Sequence, residues 1–205
     1  LGGDIIDFYS LSRFNKDPKR KLNIQEDLDK VFTFMQNCRL AVPNAKIKYF
    51  KGNHEARLKS YKWSTAPELA YLRCLEPEKL FRLAELDIEW IPKRWQYKKI
   101  WFLHGNIISK HSGWTAQKIR AEYGVNVVCG HSHRTGKSNK TDLGGNCGGW
   151  ESGCLCRLDP EYLEGIANWQ HGFSLVNYYR DKIFYVNNID IVKYSFIYAG
   201  KYYTL

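Results

Sequence analysis

The chain contains no run of about eighteen apolar residues, which excludes a membrane-spanning helix. Its start shows no signal peptide. It has no Cys-x-x-Cys pair, so the usual spacing of a structural zinc site is absent. The six cysteines are scattered at positions 38, 74, 129, 147, 154 and 156. A chain of 205 residues can bury a core without disulfides, so the cysteines read as reduced thiols in an intracellular setting. No internal repeat or low-complexity tract is present, which removes repeat architectures. Acid is the minority charge: 21 Asp and Glu against 31 Lys and Arg leave a net +10. Such a surface attracts polyanions such as nucleic acid, phosphorylated substrates or anionic lipid, although solubility alone also explains it.

The pattern that is present is strand–helix alternation through residue 130. Residues 1–6 read as a strand end entering a loop, and 13–23 as a basic loop broken by Pro18. Asn23 is placed to cap a helix, with Glu26 completing a capping box and Ile24, Leu28, Val31, Phe32 and Met35 forming an apolar stripe. A strand is expected at 46–50 and helices at 54–61, 67–75 and 77–86, the last two opened by Pro67 and Pro77. Further strands are expected at 88–91, 100–103 and 125–129, with a helix at 114–123 stopped by Gly124.

Beyond residue 134 the texture changes. Segment 135–153, rich in Gly, Asn and Lys, reads as a long loop. Cys154 and Cys156 read as sharing one face of a strand. Segments 172–179, 183–192 and 194–205 read as antiparallel hairpins, with turns at Arg180-Asp181-Lys182 and Ala199-Gly200-Lys201. The expectation is an α/β fold in one domain spanning 1–205: a two-layer mixed β-sheet sandwich flanked by helices. Its motif-bearing part covers 1–134, and 135–205 completes the second sheet.

The strand ends deliver chemistry. Asp4 and Asp7 follow the first, Asn53, His54 and Glu55 the second, His104 another, and His131 and His133 the last. Ligand sites in α/β sheets form beyond the carboxyl ends of strands. Carboxylate, imidazole and amide oxygen together suit divalent transition metals, and two such ions about 3.5–4 Å apart serve phosphoryl hydrolysis. Taken singly, Asp4 reads as a turn acid, Asp7 as solvent-facing, His54 and Glu55 as a helix start and His104 as a core histidine. Glu55 is left as structural, His111 as a surface residue or a support behind the site, and His171 without a role.

The motifs GDIID, GNHE, HG and GHSH, in this order, resemble the calcineurin-like metallophosphoesterase family over residues 2 to about 134. The surrounding wording (DFYSLSRF, KGNHEARL, GHSHR, WESGCLCRLDPEY and NWQHGF) resembles phage-encoded members and extends the likeness to about residue 180. The resemblance implies two divalent transition metals, Mn, Fe, Zn or Ni. Asp4 would bridge them; Asn53, His104 and His131 would hold the second, and His133 the first. His54 would contact the phosphate and protonate the leaving oxygen, with Asp7 orienting it, while a metal-held hydroxide attacks.

Lys51, Arg57 and Arg134 are candidates for phosphate contact. The basic run at 16–21 could hold a polyanion, and the seven tryptophans suit either a core or base stacking.

The family's upstream Asp-x-His, which completes the first metal's shell, occurs nowhere in the chain. The expectation is therefore a start one strand too late, natural or truncated, with one metal site weak or empty, low activity and marginal stability. The function implied is metal-dependent phosphoester hydrolysis by a phosphatase or phosphodiesterase, with a nuclease favoured modestly. The alternative is a phosphate- or nucleic-acid-binding module with little or no turnover. No membrane partner is expected, oligomeric state is open, and the location would be cytoplasmic, the host cytoplasm for a phage protein.

Overall fold

The structure is a computed structural model and describes residues 1–21, 23–160, 165–180 and 183–204. It divides into two compact units, Leu1–Lys93 and Arg94–Leu205. Both mix helix and strand, as the alternation predicts. Among the described residues no helix is long and apolar enough to cross a membrane.

The first unit is built on α1 (Ile24–Ala41) and a parallel pair, β1 (Ile47–Phe50) and β2 (Ile88–Ile91). The Asn23 side chain accepts from the amides of Gln25 and Glu26, and its own amide nitrogen donates to Glu26, so the cap forms where its spacing predicts. Leu28, Val31 and Met35 of the stripe are buried with Ile6, Phe8, Tyr49 and Phe81, while Ile24 and Phe32 pack at the edge of this core. Leu1 lies beside β1: its carbonyl accepts from the Phe50 amide and its amino group donates to the Lys48 carbonyl. The helix expected at 54–61 runs as α2 (Ala56–Thr65).

The two helices expected at 67–75 and 77–86 do not form. Pro67–Leu69, Arg73–Leu75 and Leu83–Leu86 are 3-10 turns, and α3 (Pro77–Leu80) is a single turn. Leu69, Tyr71 and Leu72 of the first segment are exposed and Ala70 and Leu75 only half-buried, so no fully buried face supports a helix there. In the second, Arg82 takes a left-handed conformation (φ 53°) between Phe81 and Leu83, letting both enter the core at the cost of helical continuity.

The second unit carries β3 (Arg94–Tyr97), β4 (Ile100–Leu103), α4 (Trp114–Tyr123), β5 (Asn126–Cys129), β6 (Thr135–Asp142) and β7 (Gly145–Ser152). The five strands form one mixed sheet, ordered β3-β4-β5-β7-β6. β3, RWQY, was not anticipated; it pairs antiparallel with β4. The long loop expected at 135–153 is instead the β6–β7 hairpin, paired from Thr135↔Ser152 to Asp142↔Gly145. Two of its glycines, Gly136 and Gly149, mark close approach rather than looseness. A Cβ on Gly136 would lie 2.2 Å from the Gly113 amide nitrogen, and one on Gly149 would lie 2.7 Å from the Ala116 carbonyl oxygen. Side chains there would push the start of α4 off the sheet.

The strand pleat sends Val127 and Cys129 to one face, against Ala116 and Ile119 of α4. Val128, Ile100 and Trp150 face the other side, where a hairpin of β8 (Gly172–Tyr179) and β9 (Ile183–Asp190) lays down Val176, Tyr178, Phe184 and Val186. The expected second layer is therefore present in this unit. β10 (Ser195–Tyr198) and β11 (Lys201–Thr204) make the last hairpin, turning through Ala199 and Gly200, both at positive φ. Of the turn expected at Arg180-Asp181-Lys182, residues 181 and 182 lie outside the described residues. Cys154 and Cys156 do not share a strand: Cys154 makes one isolated bridge to His171, and Cys156 lies in the bend beyond.

Candidate functional site

In the first unit the two motif loops are tied by a carboxylate. Glu55, 2% exposed, accepts from the amides of Asp4 (3.0 Å), Ile5 (2.9 Å) and Gly52 (2.7 Å) and from the Tyr49 hydroxyl (2.7 Å). Asp4 sits at φ 54°, a region costly for a residue with a Cβ, and these bonds hold it there. Its Oδ1 accepts from the His54 amide at 2.9 Å. A Cβ on Gly52 would lie 2.0 Å from that same oxygen, so only glycine fits between the loops.

Next to this clamp lies a charged cluster. His54 Nδ1 is 3.1 Å from Asp7 Oδ1, and His54 Nε2 is 3.2 Å from an Arg57 guanidinium nitrogen. Arg57 also donates to the Asp7 carboxylate and carbonyl, and Arg20 reaches the other Asp7 oxygen at 3.2 Å. Burial raises the Asp7 pKa, but the His54 hydrogen bond, the His54 and Arg57 charges and the Arg20 hydrogen bond outweigh it and hold the pKa at about 2. Arg20 belongs to the basic run expected near the GD loop. Asn53 stands exposed in the turn before α2; the half-buried Lys51 anchors by its amide to the Ile91 carbonyl.

In the second unit His104 ends β4 and is 4% exposed; its carbonyl accepts from the Gly130 amide. His131, after β5, takes φ 67° and brings its Nδ1 to 3.1 Å from His104 Nε2. Two ring nitrogens converging at that distance suit two imidazole ligands of one divalent ion, so this donor pair fits the implied metal. The intervening loop is anchored by Ser132, which donates to Glu151 at 2.7 Å. Glu151 is fully buried and also accepts from the Ala116 amide in the first turn of α4. His133, at φ 58°, turns to Cys156, with Nδ1 3.8 Å from Sγ and its ring edge-on to Trp169. The Arg134 guanidinium is bound to the Asn168 and Ser109 carbonyls.

His111 stacks edge-on against Trp114, and His171 Nε2 lies 2.6 Å from the Cys156 carbonyl. All six cysteines are free, as expected. Cys154 and Cys156 interact as a pair; a hydrogen bond from Cys154 lowers the Cys156 thiol pKa and raises its own. The sequence reading missed Glu151, Cys154, Cys156 and Trp169 as neighbours of the GHSH loop. None sits at a motif spacing, and their common signal, the WESGCLC and NWQHGF wording, pointed only to kinship.

Comparison with known proteins gives the following. No protein-family model matches the chain. It is similar to the Gene 54 protein of Mycobacterium phage L5, 29% identical over 189 residues, covering 85% of this chain and 74% of the relative. It is 28% identical over 188 residues to the Gene 54 protein of Mycobacterium phage D29, with the same coverage. Among solved structures it is similar to a single mutant of Vps29 from Entamoeba histolytica, with 13% identity and a TM-score of 0.38, covering 92% of this chain and 91% of that one. A superposition that loose assigns no function.

Proposed function

We propose that the chain is a metal-dependent phosphoester hydrolase, with phosphodiesters of nucleic acid as the narrower substrate class. The carrying observation is His54, whose Nδ1 lies 3.1 Å from Asp7 on the turn that follows β1. A carboxylate behind an imidazole fixes its tautomer, orients the ring and stabilises the imidazolium, which is what proton delivery to a leaving oxygen requires. Arg57 has only donors, and in the resting arrangement its guanidinium lies against Nε2. In the proposed reaction Arg57 turns to the substrate phosphate, Nε2 takes a proton from solvent, and His54 passes that proton to the leaving oxygen. Lys51 is the second proposed phosphate contact.

His104 and His131 are the proposed ligands of a divalent transition ion in the second unit; the family pattern would add Asp4 and Asn53 to that ion and would offer Asp4 and His133 to a second. When bound, such ions stabilise phosphoryl charge and lower the pKa of water toward neutrality. The net +10 supports a polyanionic substrate. The phage relatives support a phage origin, and the proposed location is the host cytoplasm. The Arg57 contact also favours a second reading, a phosphate- or nucleic-acid-binding module without turnover, because that guanidinium occupies the nitrogen that catalysis needs.

Hydrolysis of bis-p-nitrophenyl phosphate, p-nitrophenyl phosphate and single-stranded DNA in Mn²⁺ tests the proposal. Turnover is expected, with a loss of about 10²- to 10⁴-fold in His54→Ala. Equal turnover in His54→Ala removes that residue from the mechanism. No turnover in Mn²⁺ or Ni²⁺, alongside tight DNA binding, establishes the module instead.

A further inference from the structure

We propose that His133, Cys154 and Cys156 form a zinc site of their own, contained in the second unit and distinct from the ion proposed for His104 and His131. One ligand atom from each of the three lies within 4.8 Å of the other two. Around a tetrahedral zinc, Zn–S of about 2.3 Å and Zn–N of about 2.0–2.1 Å put neighbouring donors roughly 3.5–3.8 Å apart. The 3.8 Å between Cys156 Sγ and His133 Nδ1 meets that spacing. Two thiols and an imidazole are a soft donor set that selects zinc over magnesium, calcium or manganese.

The site is built rather than incidental. Four backbone hydrogen bonds hold the three strips that carry it: Gly153 amide to Arg134 carbonyl, Gln170 amide to His133 carbonyl, Cys154 amide to Gln170 carbonyl and Gly172 amide to Cys154 carbonyl. His133 is kept at φ 58° within this frame, and Trp169 bears on its ring with centroids 4.4 Å apart. Gly153, at φ 75°, has no room for a Cβ, which would meet the Gln170 carbonyl oxygen at 3.0 Å. His171 reaches the Cys156 carbonyl at 2.6 Å and fixes the bend, the kind of outer support that orients metal ligands. Cys156 is exposed, so an ion can enter and a fourth position opens to solvent. The spacing Cys-x-Cys, with its histidine more than twenty residues upstream, matches no linear zinc motif. In this assignment His133 serves the sulfur pair, not the first metal of the family pattern.

The test uses the whole chain, reduced and stripped of metal by a chelator, titrated with Co²⁺ as an optical stand-in for zinc. A sulfur-to-cobalt charge-transfer band should rise to one equivalent and vanish on adding Zn²⁺. Cys154→Ser and Cys156→Ser should abolish the band, whereas Cys38→Ser, Cys147→Ser and Asp4→Asn should retain it. A second reading on the unaltered chain does not depend on the variants folding. Zinc at about ten times its Kd should slow alkylation of Cys154 and Cys156 about tenfold while leaving Cys74 unchanged. Absence of the band in the unaltered chain, its survival in Cys156→Ser, or equal alkylation with and without zinc overturns the site. Loss of the band in Asp4→Asn also overturns it, by moving the sulfur ligands onto the Asp4 ion. None of these readings depends on hydrolysis, so failure of the phosphoesterase proposal leaves this one standing.

Discussion

Each unit holds its candidate ligand loop with a buried glutamate, but the two do so differently. In the first, Glu55 accepts four hydrogen bonds, three from backbone amides on two separate loops. In the second, Glu151 accepts two, one from the Ser132 hydroxyl and one from the Ala116 amide at the start of α4, where helix polarity favours a negative charge. Both loops contain residues at positive φ, Asp4 in one and His131 and His133 in the other. Strained backbone persists only where its surroundings over-determine it. For Asp4, Glu55 supplies that constraint together with the His54 amide bonded to the Asp4 side chain. In the second unit the work is shared with the glycine contacts beneath α4 and the backbone bonds to residue 170.

The sharpest way to break this comparison is Glu55→Ala. It strands four buried or half-buried donors and should cost about 4 kcal/mol, read as a fall in the urea unfolding midpoint. A cost no greater than that of Glu151→Ala would show the two clamps to be equivalent. Gly136→Ala should come next, at about 3 kcal/mol, because its Cβ would meet backbone of Gly113 at 2.2 Å and backbone cannot move aside cheaply. A smaller loss would mean that α4 lifts easily and that Glu151 carries more than its share.

Glu151→Gln keeps one acceptor and turns a donor toward another, and should cost about 2 kcal/mol in the same experiment. The smallest effect concerns Asp7, whose side chain is 37% exposed. Its pKa falls from 3.8 to about 2 on folding, so its contribution is fully present above 3.8 and is lost as pH falls toward 2. Stability of the unaltered chain relative to Asp7→Asn should be constant above that window and shrink within it. A difference unchanged through the window would show that the cluster acts by packing rather than charge.

How far the sequence led follows the range of the interaction. The cap at Asn23, the stripe of α1, the helix ended by Gly124 and the strands around His104 and His131 rest on neighbours within a turn or two, and all formed near their expected places. The His54–Asp7 pair was expected from the family resemblance, and the structure brings those two residues together. Segment 67–75 has the composition of helix but little apolar surface that tertiary packing buries, and in 77–86 the burial of both Phe81 and Leu83 around a left-handed Arg82 interrupts the helix, so the whole stretch breaks into short turns. Segment 135–153 has the composition of a loop, yet Gly136 and Gly149 within it are where a helix start needs to touch a sheet.

By itself, then, the sequence determined the local elements, the order of the motifs and the charge, because each follows from residues close in the chain. Only the tertiary structure decided which glutamates clamp the loops, what the hairpin glycines are for, and that His133 faces two sulfurs. Those depend on contacts between residues roughly twenty to fifty apart, and no local pattern encodes which distant partner a side chain will meet.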